Sequence, residues 1–81
     1  MVPLPPTSGS DVVRVLTHVG FVRIQRGGPV VRLERGYRSV VAIDTSDLMS
    51  PEDIRALLHE ADVPTSVFLE LLDRIAQEHA G

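Results

Sequence analysis

The sequence predicts an α+β domain in the order α-β-β-β-α-α, and three observations carry that prediction. Apolar residues recur at helical spacing near the start, from Val12 to Val19, and again from Ile54 to Ile75. Between them the pattern alternates with a period of two, in runs punctuated by glycine. The whole spans 81 residues, a length that supports one thin core rather than two lobes around a deep cleft.

Residues 1–7 hold Pro3, Pro5 and Pro6, which suit neither helix nor sheet, so they read as a flexible Pro-rich tail before a single domain over residues 8–79. Ser8 or Ser10 can cap the first helix, and Gly20 can close it in the left-handed region. Phe21 to Arg26 reads as a strand with Val22 and Ile24 on one face and Arg23 and Gln25 on the other. Gly27 and Gly28 mark a turn. Val30 to Glu34 follows, with Val31 and Leu33 opposed to Arg32. A three-residue loop, Glu34-Arg35-Gly36, would set Leu33 opposite Tyr37 and Arg32 opposite Arg38. The third strand then runs from Tyr37 to Ile43. The expected product is a three-stranded antiparallel sheet with helices on its apolar face and Arg23, Arg32 and Arg38 on the other.

Asp44 to Met49 reads as a polar loop. Ser50-Pro51-Glu52-Asp53 is a strong helix start, with a serine cap, proline at the first position and acids in the first turn. Ile54, Leu57, Leu58 and Ala61 give that helix one apolar face. Asp62 to Pro64 interrupts it, and a last helix runs from about Thr65 to His79 with Phe68 as a core residue.

Charge is divided along the chain. Residues 1–40 hold six Arg against two acids, and residues 41–81 hold two Arg against nine, for a net charge of −3. Every basic residue is Arg, whose planar fork suits phosphate and stacks on bases. A polyanion would therefore meet the first half, while strand Arg residues also serve simply to keep a sheet face soluble. With no Cys there is no disulfide framework and no thiolate metal site. No apolar run approaches the roughly 18 residues that span a bilayer, and the opening residues lack the pattern of a signal peptide. A cytoplasmic domain is expected.

Few residues carry chemistry by themselves. Gly27-Gly28 is too short for a phosphate cradle and reads as a turn. His18, His59 and His79 fall on helices, on faces that periodicity exposes. Asp44, Asp47, Glu52 and Asp53 read as cap and loop residues rather than as ligands, so no metal or cofactor is expected.

The chain resembles the HicA family of small bacterial toxins. The likeness begins with Asp11-Val12-Val13-Arg14-Val15-Leu16-Thr17-His18-Val19-Gly20-Phe21, a helix ending in Gly-Phe. Arg23-Ile24-Gln25-Arg26-Gly27 is similar to the family's strand before a Gly-Ser-His turn. Ile54 to Ala61 and Val63 to Leu72 resemble its later helical segments, so the likeness covers about residues 8–73. It implies a fold similar to double-stranded RNA-binding domains, cleavage of mRNA, and inhibition by a HicB-like antitoxin. It implies RNA contacts at Arg23, Arg26, Gly27, Gly28, Arg32 and Arg38. DNA is not expected as a partner of this chain alone. The family's catalytic His falls at Pro29 here, and no His lies between His18 and His59. Proline exchanges no proton, and losing general acid–base help costs about 10²- to 10⁴-fold in rate. The expectation is a HicA-like, RNA-binding toxin of a toxin–antitoxin pair with impaired endonuclease activity. A non-catalytic RNA-binding module and an antitoxin-interaction module are the alternatives.

Overall fold

The structure, a computed structural model, describes residues 4–24 and 30–80. It is a small α+β domain of three helices and antiparallel sheets. In chain order the elements are β1 (Thr7–Ser8), α1 (Gly9–His18), β2 (Val22–Arg23), β3 (Val30–Arg35), β4 (Arg38–Asp44), β5 (Leu48–Met49), α2 (Pro51–Ala61) and α3 (Thr65–Ala80). Strand β3 pairs with β2 on one side and β4 on the other, and β1 pairs separately with β5.

Local chemistry explains the helix ends. The Ser8 hydroxyl accepts a hydrogen bond from the Asp11 amide at 3.2 Å, capping α1. Gly20, at φ +101°, turns the chain out of the helix, and the Phe21 amide donates back to the Leu16 carbonyl at 3.0 Å. Ser50 caps α2 in the same way, with its hydroxyl 3.2 Å from the Asp53 amide and Pro51 at the helix start. Asp62, left-handed at φ 58°, ends α2, and α3 starts just after Pro64.

Two differences from the sequence reading concern the short strands β1 and β5. Residues 1–7 read as a tail, yet Leu4 lies in the core, 4 % exposed, and Thr7 enters β1. The loop from Asp44 to Met49 contains β5, which receives that strand. Two-residue strands leave too little periodicity to read, and the three prolines concealed the burial of Leu4 between them.

The hairpin is the third difference. Arg35 pairs with Arg38 and Leu33 with Val40, so the loop has two residues, Gly36 and Tyr37, rather than three. Gly36 sits at φ +60° and Tyr37 does not share a positive φ, the pattern of a turn with glycine at its first central position. A two-residue loop alone would carry its register along the whole strand. A bulge intervenes: Val31 pairs with Ile43 while Leu33 pairs with Val40, so β4 fits two residues opposite Arg32.

The core joins one face of the sheet to all three helices. Val31 and Leu33 meet Val12, Val15 and Leu16 of α1, Ile54 and Leu58 of α2, and Phe68 and Ile75 of α3 in a single buried cluster. Helices α1 and α2 lie against β4, and α3 packs on α1. Among the described residues the other face of β2 and β3 is left open.

A candidate interaction surface on the open sheet face

Strand β3 alternates cleanly. Val31 and Leu33 are buried, Val30 and Arg32 are exposed, and Glu34 is half-buried. Register then sets the faces of β2, because directly opposed residues share a face. Arg23 stands opposite Leu33, and Val22 opposite Glu34. The Ile24 amide donates to the Arg32 carbonyl at 2.9 Å, which extends the pairing by one residue. The open face therefore carries Val22, Ile24 and Val30, exposed by 63 %, 47 % and 39 %, with Arg32 and Glu34 among them. Asp44 pairs with Val30 at the far end.

This corrects the expected division of the sheet. Val22 and Ile24 face away from the core, and Arg23 and Arg32 lie on opposite faces. Arg38 pairs with Arg35 rather than with Arg32. The physical reason is Phe21. Its large ring takes the buried place in this segment, at 2 % exposure, and a period of two then sends Val22 and Ile24 outward. Burial of Phe21, the first residue after Gly20, was the signal in the sequence that would have set this parity.

The charge of the face is mixed. Arg32 is its described cation, and Glu34 and Asp44 are carboxylates. The Ser46 hydroxyl donates to Asp44 Oδ1 at 2.6 Å and the Ser46 amide at 2.9 Å, and these bonds hold the Asp44 carboxyl below its ordinary pKa. Arg26, Gly27, Gly28 and Pro29, the segment expected to approach RNA, lie outside the described residues.

The remaining candidates sit elsewhere. His18, exposed, places Nδ1 2.8 Å from the Arg14 carbonyl on α1, and His59 is exposed in the last turn of α2. His79 belongs to the last turn of α3. None of the three is on the sheet. Glu52 and Asp53 occupy the first turn of α2, and among the described residues no His, Asp and Glu come together as a metal-binding group. Among those residues no helix is long and apolar enough to cross a membrane. No family model, curated protein or solved structure matches the chain.

An exposed sheet face that combines three β-branched apolar side chains with one guanidinium can do two things. It can bury apolar area against another protein, and it can orient that partner through Arg32. With two carboxylates nearby it offers little to a polyanion.

Proposed function

We propose that the chain is a HicA-like member of a toxin–antitoxin pair, with an RNA-binding lineage and impaired cleavage, and that its open sheet face is what a HicB-type antitoxin covers. The observation that carries this reading is the cluster of Val22, Ile24 and Val30 around Arg32 on a face that stays exposed among the described residues. The order of one helix, the β2-β3-β4 pairing and two further helices is consistent with the double-stranded RNA-binding-domain-like fold that the resemblance implies.

Pro29 supports the impaired activity. The family's proton exchange at a ribose hydroxyl needs an imidazole at that place, and a pyrrolidine ring has no dissociable proton. Arginine can still stabilise phosphate charge, which leaves slow cleavage rather than none.

The test is co-expression with the product of the adjacent gene, followed by size-exclusion chromatography. The proposal expects the two to elute together at micromolar concentration. Independent elution contradicts it.

A further inference from the structure

A second surface lies at the α1–α3 side of the molecule. There the N-terminal segment, β5 and α3 enclose a cleft of about 660 Å³. Pro5, Pro6, Leu48, Leu72 and Ala76 line it, and among the described residues Asp11 is its one charged lining residue. Leu48 is 70 % exposed although it is a strand leucine. The size falls in the range of roughly 300–1,000 Å³ typical of ligand clefts, and so does the mainly apolar lining with few polar groups.

Asp11 stands in the first turn of α1, where a carboxylate favours the helix dipole but is not needed as the cap. The cap of α1 is supplied by the Ser8 hydroxyl, which accepts from the Asp11 amide. Among the described residues the Asp11 carboxylate has no hydrogen-bond or ion-pair partner, although the residue is half-buried. Arg14, one turn beyond Asp11, does not line the cleft. A mainly apolar lining with one carboxylate that lacks an ion-pair partner among the described residues disfavours a polyanion and fits an apolar segment that brings a cation.

We infer that this cleft docks a short peptide segment of another protein, one with two large apolar side chains flanking an Arg or Lys. The apolar side chains cover Leu48, Leu72 and Ala76, and the cation meets Asp11. This surface is separate from the open sheet face and stands independently of the toxin–antitoxin reading.

The test is a nuclear magnetic resonance titration of the isotope-labelled full chain with two synthetic probes, acetyl-Leu-Arg-Leu-Pro-amide and acetyl-Leu-Glu-Leu-Pro-amide. The arginine probe is expected to shift amides at Asp11, Leu48, Leu72 and Ala76 and to saturate with a Kd on the order of 1 mM, about tenfold tighter than the glutamate probe. Asp11→Asn is expected to erase the difference between the probes. Ala76→Arg, at an exposed helix position that keeps the fold, is expected to abolish binding of the arginine probe. Absence of cleft-confined shifts up to about 10 mM probe, equal affinity for the two probes, or unchanged binding to Ala76→Arg overturns the inference.

Discussion

Arg35 closes the seam between α1 and the sheet. It lies beyond Leu33 on the core side of β3, where an apolar residue would be expected. Its guanidinium stacks over the Phe21 ring, 4.9 Å from the centroid, and donates from Nη1 to the Val19 carbonyl at 2.9 Å. That carbonyl is one that α1 leaves without a helical partner. Arg35→Ala is expected to cost about 1–2 kcal/mol in urea unfolding, combining a cation–π contact with a charged hydrogen bond. Arg35→Lys recovers only part, since an ammonium cannot stack as a plane. A neutral Arg35→Ala would contradict the seam. Gly9 acts at the other end of α1, where its Cα faces the Asp44 carbonyl so closely that an added Cβ would overlap that oxygen. Glycine to alanine usually stabilises a helix by up to about 1 kcal/mol. Here the sign reverses, and Gly9→Ala is expected to destabilise by about 1–3 kcal/mol. Asp44 itself supplies a pH prediction. Its carboxyl titrates lower when folded than when unfolded, so its contribution is complete above the unfolded value and fades as pH falls through the folded one. The Asp44 midpoint read from side-chain resonances is expected below that of an ordinary aspartate, and Ser46→Ala is expected to raise it.

At the scale of elements, the hairpin between β3 and β4 separates the two registers most cleanly. In a three-residue loop Tyr37 would join the face of Leu33 and its loss would open the core. In the structure Tyr37 is fully exposed at the tip. Tyr37→Ser is therefore expected to stay within about 0.5 kcal/mol of wild type, and a loss of several kcal/mol would restore the longer loop. The helices were legible because each carries several signals at once. Ser50-Pro51 with two acids, and the run from Phe68 to Ile75, agree on cap, propensity and periodicity. The sheet was less so. A loop length judged from alternation alone assigns Arg38 away from the apolar face, and the bulge opposite Arg32 is what sets Ile43 rather than Ala42 opposite Val31 after the shorter loop. Alternation also fails where a two-residue strand carries it, as in β2, and one large residue such as Phe21 then decides the parity.

At the scale of the whole molecule, the division of charge along the chain does not become a basic face among the described residues. Arg23 and Arg32 point to opposite sides of the sheet, and Glu34 and Asp44 accompany Arg32. Helices α2 and α3 expose Glu52, Asp53, Glu60, Glu70, Asp73 and Glu78. RNA approaching the open sheet face thus meets one described guanidinium. Its binding there is expected to fall with salt at a slope near −0.7, one single-strand contact, rather than the roughly −2 of three arginines on one face. The slope is read by fluorescence anisotropy at several salt concentrations. Cleavage should be slower than that of a His-bearing relative by about 10²- to 10⁴-fold, with partial recovery in Pro29→His. Robust cleavage that disappears in His18→Ala or His59→Ala would overturn that expectation.

The central claim is that the open sheet face is an interaction surface. Ile24→Glu tests it most directly, because Ile24 is 47 % exposed and lies outside the buried cluster. The variant is to be co-expressed with the adjacent gene's product beside wild type, and both are to be followed by size-exclusion chromatography and thermal unfolding. The account predicts an unfolding midpoint close to wild type and loss of the complex that wild type forms. A complex that survives Ile24→Glu, or a wild-type chain that elutes alone, would contradict it.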